Sequence, residues 1–131
     1  MNRILLAAAL ALGLSSGVAR AADGTLMIYT STPDKAMNDL IANFNKAEPN
    51  VKVQFFRSGT TEVVNKLQAE FTAGAPQPDV LFIADATVME QMKGVDRLMS
   101  YADAPVDCLP SSFYDSDKTY RGRQFGYPVM W

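Results

Sequence analysis

Three times between Thr25 and Leu98 a short apolar run passes through a polar turn into a segment whose apolar residues recur every three to four positions. A strand covered on one face alternates apolar and polar side chains, whereas a strand covered on both faces is continuously apolar. Leu26–Tyr29 is of the second kind and is predicted to be a central parallel strand. It leaves through Thr30-Ser31-Thr32-Pro33, a pattern that predicts Thr32 as a helix N-cap and Pro33 as the first helical residue. Met37, Leu40, Ile41 and Phe44 then supply the buried face of one amphipathic helix. Pro49 stops that helix near Ala47 and Glu48, because proline disfavours helical geometry in the residue before it.

The second unit repeats the first. Val51–Phe56 alternates before turning apolar, which predicts a strand nearer a sheet edge. Arg57-Ser58-Gly59-Thr60-Thr61 forms the turn, with Gly59 expected to permit close backbone approach and any positive φ the turn requires. Glu62 lies in the first helical turn, where its charge suits the helix dipole, and Val63, Val64, Leu67 and Phe71 face inward. Gly74-Ala75-Pro76-Gln77-Pro78 ends the helix. In the third unit Asp79–Ala84 is the most apolar run and is predicted to be an interior strand. Asp85-Ala86-Thr87 follows, Thr87 and Glu90 have capping-box spacing, and Val88, Met92, Val95 and Leu98 extend a helical face past Gly94. From Ser100 to Lys118 the pattern dissolves into a connecting segment, and Phe125–Trp131 begins to look like another strand.

Short strand–helix connections imply parallel strands joined by right-handed crossovers. The predicted fold class is α/β, a doubly wound parallel sheet with strand order second, first, third. All three polar turns then share one edge of the sheet, with three helix N-termini facing one crevice.

Composition removes several classes of function. Twelve basic against fourteen acidic residues leave no basic stripe for nucleic acid. No histidine is present, so Ser-His-Asp chemistry cannot be assembled, and the single cysteine, Cys108, has no histidine to activate it and no partner for a disulfide. Asp79 and Asp85 are better explained as strand-end and cap residues than as a catalytic pair. The turns lack the Gly-Lys-Ser/Thr ending of a phosphate loop and the spaced glycines of a dinucleotide site. Neither a catalytic residue, a metal ligand nor a cofactor is expected. What the turns do offer is hydroxyl groups and backbone N–H groups, suited to a carboxylate, a phosphonate or a polar small molecule.

The N-terminus has the composition of an export signal. Arg3 is followed by the apolar run Ile4–Leu14 and by Ala19-Arg20-Ala21, a small-x-small cleavage pattern. Cleavage is expected after Ala21, leaving residues 22–131 in the periplasm, and Ser15, Ser16, Gly17 and Arg20 interrupt the run too early for a membrane span.

An export signal, then Leu26–Pro33, then Val51–Thr61 with its Ser58-Gly59-Thr60, then Pro78-Asp79-Val80-Leu81 leading to Asp85-Ala86, resembles the periplasmic solute-binding proteins of ABC importers. The resemblance is nearest to the branch with ferric-ion, phosphonate and sugar-phosphate binders. It implies a type II periplasmic-binding-protein fold of two lobes, of which the chain would carry the N-terminal lobe and the start of the crossover. It also implies a non-enzymatic, monomeric receptor that passes a small polar or anionic solute to a membrane permease. The solute would meet Thr30, Ser31 and Thr32 in the first turn, Ser58, Gly59, Thr60 and Thr61 in the second, and Asp85 and Ala86 in the third. Ferric binders of this family place a histidine in the first turn and a glutamate after the third strand. Those places align with Pro33 and Ala84, which cannot bind metal through their side chains, so a ferric-iron receptor stands as the alternative within the family and not as the main reading. A flavodoxin-like cofactor or enzyme domain is the alternative outside it.

Overall fold

A computed structural model describes residues 23–107 and 109–122. The export-signal residues with their expected cleavage after Ala21, Cys108 and the strand-like end Phe125–Trp131 lie outside the described residues.

Three parallel strands, β1 (Gly24–Thr30), β2 (Val51–Arg57) and β3 (Val80–Phe82), alternate with helices α1 (Asp34–Ala47), α2 (Thr60–Thr72) and α3 (Ala86–Gly94). The sheet order is β2-β1-β3. β1 pairs with β2 along its whole length, from Gly24 opposite Val51 to Thr30 opposite Arg57, and with β3 from Ile28 to Thr30. Ile28, Tyr29 and Thr30 are all buried. Successive strand residues point to opposite faces, so both faces of β1 are covered, as its continuous apolar run requires.

The core forms where the helices meet this strand. Met37 of α1, Val63 and Leu67 of α2 and Met92 of α3 are sealed from solvent. Tyr29 is 5.2 Å from Phe56 between ring centroids, and its hydroxyl donates to Glu70 on α2 at 2.6 Å. Glu70 also accepts from Lys66 at 2.8 Å and from the Gln77 N–H at 3.1 Å. Burial opposes its ionised form, but these bonds outweigh burial and hold its carboxyl below the usual range.

Several boundaries differ from those expected. Pro33, at φ −57° and ψ 143°, is extended and occupies the N-cap position of α1, which begins at Asp34. Thr32 precedes the N-cap position and makes no cap bond; its N–H donates to the Thr30 hydroxyl at 2.9 Å. β3 spans three residues and lies at a sheet edge among the described residues, not in the interior. Its ladder is closed early by Asp79, which donates its N–H to the Met27 carbonyl at 2.9 Å and accepts the Met27 N–H at 2.8 Å. Asp85 caps α3 as its cap reading expects, accepting from the Thr87 and Val88 N–H groups, whereas the capping-box spacing of Thr87 and Glu90 is not used.

Helix ends follow backbone angle. Gly74, at φ +69°, follows α2; its N–H donates to Phe71 and the Ala75 N–H to Glu70, the paired bonds of a left-handed stop. Asp96, at φ +54°, does the same after α3, with Asp96 N–H to Lys93 and Arg97 N–H to Met92. The apolar spacing of Val95 and Leu98 is therefore not helical, and Val95 is exposed. Beyond it, the described residues 95–107 and 109–122 form an irregular arm with a short 3-10 turn, Ser111–Phe113, and an antiparallel bridge between Tyr114 and Arg121.

Candidate functional site

Parallel strands bring their C-terminal turns to one sheet edge, and here the turns are also bonded to one another. The Ser58 N–H donates to the Thr30 carbonyl at 3.1 Å and the Ser31 N–H to the Phe82 carbonyl at 3.3 Å. The Ser31 hydroxyl in turn accepts the Ala84 N–H at 3.3 Å. Thr30 is fully buried, and its oxygens shape the turn rather than face a solute.

A groove of about 490 Å³ opens between the first and third turns. Thr32, Asp85 and Ala86 line it, together with Ala36 from the first turn of α1. Among the described residues its wall includes none of Ser58, Gly59, Thr60 and Thr61. Those four share the sheet edge but stand behind β1's turn, because β2 lies on the far side of β1 from β3. Gly59 is extended at φ −63° and ψ 158°, so it does not need the left-handed angles that glycine permits. A Cβ there would meet the Glu62 carboxylate, which folds back over the start of α2.

The opposite wall comes from the arm, with Ser112, Phe113, Tyr114, Tyr120 and Arg121, and the apolar side chains of Leu81, Phe82, Ile83 and Met89 also line the groove. The sequence pattern places Ser112, Phe113 and Tyr114 in the connecting segment Ser100–Lys118, and reads Arg121 beside Tyr120 as solvated connector rather than as an anion site; the further signal is the density of aromatic residues between Phe113 and Tyr120. They are held in a hairpin by Asp115 N–H to Tyr120 at 3.1 Å and Gly122 N–H to Phe113 at 2.6 Å. Two side chains of α3, one turn apart, fasten that hairpin. Glu90 accepts from the Tyr120 hydroxyl, and this bond, with burial, pushes the Tyr120 phenol pKa up. Lys93 lies 2.5 Å from Asp115 and 2.8 Å from Asp117. Asp115 is buried and also accepts from the Thr119 hydroxyl at 2.7 Å. Lys93 and Thr119 together hold its carboxyl down to about 2, while Lys93 is raised above its ordinary value by both aspartates.

The helix N-termini differ in what they leave open. Asp85 occupies the first N–H groups of α3, and the Glu62 carboxylate lies against the start of α2. α1 has no side-chain cap bond and opens on the groove through Thr32 and Ala36. No group of three or more His, Cys, Asp or Glu side chains suited to a metal occurs among the described residues. No helix among them is long and apolar enough to cross a membrane.

A parallel α/β unit whose bonded turns border an open groove belongs to the class of proteins that hold small solutes at the C-terminal ends of their strands. The profile of the family described as bacterial extracellular solute-binding protein matches residues 29–121. The chain belongs to this family. Membership implies a small-molecule ligand and an ABC permease as partner, and the family is generally non-enzymatic and typically exported. The three-strand parallel sheet with its helices is consistent with part of a periplasmic-binding-protein lobe. A comparison with curated proteins finds no match.

Proposed function

We propose that the chain is the N-terminal lobe of a periplasmic receptor that delivers a small polar or anionic solute, of the phosphonate or organophosphate kind, to an ABC importer. The observation that carries this reading is the bonding of the three turns into one rim beside a groove of about 490 Å³. The solute's oxygens meet the Thr32 hydroxyl and the uncapped start of α1, with Asp85 and Ala86 closing the other side. Thr30 and Ser31 act by fixing the rim. Ser58, Gly59, Thr60 and Thr61 buttress it from behind, a role supported by their absence from the groove wall. Export follows the leader pattern, with cleavage after Ala21, and the receptor works as a monomer. Family membership favours this reading over a flavodoxin-like domain. Against the ferric-iron alternative stand Pro33 and Ala84, whose side chains cannot bind metal, at the places where ferric binders of the family present ligands.

Calorimetric titration with phosphate, methylphosphonate, a sugar phosphate and ferric citrate tests the reading. Thr32→Val should weaken the bound organic anion by roughly tenfold, the worth of one hydrogen bond to a charged group. Ser58→Ala should change it by less than about twofold, since only the Ser58 backbone is engaged. Equal losses from both substitutions, or ferric binding untouched by either, would remove the groove from the assignment.

A further inference from the structure

The hairpin that walls the groove stands between two spaces. Behind it lies a mainly apolar cavity of about 760 Å³, walled by Leu67, Phe71, Met92 and Leu98. The cavity and the groove share Tyr120, Arg121 and Gly122, so this stretch is a partition that borders both. A segment with space on two sides gains little from packing and depends on its bonds. The two bonds within the hairpin, Asp115 N–H to Tyr120 and Gly122 N–H to Phe113, do not suffice, because an isolated two-stranded ribbon is marginal in water. Its hold on the body of the protein runs through one turn of α3: Glu90 accepts from the Tyr120 hydroxyl, and Lys93 pairs with Asp115 and Asp117. Further ties run to Ser100, Tyr101, Ala102 and Pro105, which belong to the arm itself.

Two features work against closure. Lys118, at the tip of the hairpin, has φ +55°, which a residue with a Cβ adopts at a cost. Asp115 and Asp117 also crowd two carboxylates onto one ammonium, and the Lys118 ammonium is drawn off to the Ala102 carbonyl at 2.7 Å. Without Lys93 the buried Asp115 carboxylate loses its counter-charge, and an uncompensated buried charge drives a segment toward water.

We propose that the hairpin 113–122 is a strap poised between closed and open positions, with Lys93 as its keystone, and that it closes on the solute in the groove. The inference rests on the receptor reading above and adds a moving part to it. Closure walls the groove off from the cavity behind, and release joins the two spaces. Lys93 lines neither of them, so it is a positioning residue that acts through Asp115 and Asp117.

Amide exchange on the full chain decides it, read at Asp115 and Gly122 in the strap against Ile28 and Tyr29 in the strand. Without solute, Lys93→Met should speed exchange in the strap about tenfold and leave the strand protected, whereas Lys93→Arg keeps the charge and should stay within about twofold of the unaltered chain. Saturating methylphosphonate, or phosphate where only that gives heat, should slow exchange in the strap by about tenfold or more, because a ligand of the closed form draws the strap toward it. An ion pair with a merely structural role would not couple the strap to the solute. By the same linkage Lys93→Met should weaken that anion about tenfold in calorimetry, with circular dichroism unchanged. If Lys93→Met leaves exchange in the strap as it was, or raises it equally in the strand, there is no strap. If the anion binds and the strap does not respond, the strap does not close on the solute, while the receptor reading stands. No heat from either anion with folded protein would overturn the receptor reading and the closure on solute together, and the ligand-free exchange of Lys93→Met would still decide whether the hairpin opens on its own.

Discussion

The strand–turn–helix units of residues 24–94 and the arm of residues 95–122 border the same groove but are built from different interactions. In the first region Met37, Val63, Leu67 and Met92 are buried against a strand that is itself buried on both faces. In the arm, among the described residues, Val106 is the one buried apolar side chain, and the buried polar residue is Asp115. The units are held by apolar contact at a repeating period, the arm by charge-assisted bonds to α3. Apolar burial scales with area and resists any single deletion less specifically, whereas a network of bonds around one carboxylate fails when that carboxylate changes. The rim of the groove is therefore set by the fold's core, and the facing wall by a few polar links.

The sharpest way to break the comparison is to damage each region alone. Met37→Ala removes a side chain with no exposure from the junction of α1 and the sheet. A cost of about 2–5 kcal/mol is expected, because the cavity adds to the lost transfer energy. Denaturant unfolding followed by circular dichroism should show one transition moved to much lower denaturant, rim and arm together. A loss confined to the arm would mean that the core does not support both regions.

The second effect is local and set by pH. The Asp115 carboxyl sits at about 2 against an ordinary 3.8, held there by Lys93 and Thr119. A carboxyl lowered in the folded state stabilises it fully above the unfolded value, and that contribution is lost as pH falls toward the folded one. Amide exchange in residues 113–122, corrected for its intrinsic pH dependence, should accelerate between about pH 4 and pH 2 while Ile28 and Tyr29 stay protected. Asp115→Asn should remove that acid step and leave the arm open throughout. Exchange that rises equally in the strand and the arm would show that the two regions open as one.

What could be read from the sequence divides along the same line. The three apolar runs, the helix faces at Met37 and Val63, and the strand order were legible because burial leaves a period in the chain. The shared edge of the turns followed from parallel topology. That only Thr32, Asp85 and Ala86 of the expected residues reach the groove was not legible. It depends on Thr30 turning inward and on β2 lying beyond β1, which are three-dimensional facts without a local signature. Tyr120 and Asp115 were illegible for a further reason. Their partners, Glu90 and Lys93, sit on the solvent-facing pattern of a helix, where a charge ordinarily means exposure.

The smallest expected effect lies at the junction of the two regions, where it can sharpen the boundary between them. α3 stops because Asp96 adopts φ +54°, and the Asp96 and Arg97 N–H groups close on Lys93 and Met92. Aspartate tolerates this left-handed geometry but at a cost that glycine avoids, while glycine gives the unfolded chain more freedom to lose. The two terms oppose, and relief of the backbone cost is the larger at a left-handed stop, so Asp96→Gly should stabilise the protein by about 0.5 kcal/mol. That corresponds to a rise of roughly 2–4 °C in Tm for a domain of this size. Asp96→Val should act in the opposite direction and by more, since a β-branched residue resists positive φ. If the helical face did continue past Gly94, as the spacing of Val95 and Leu98 suggests, glycine at 96 would instead destabilise by about 1 kcal/mol as a helix-interior glycine does. The sign of one small Tm shift thus locates where apolar periodicity stops describing the chain and the bonded arm begins.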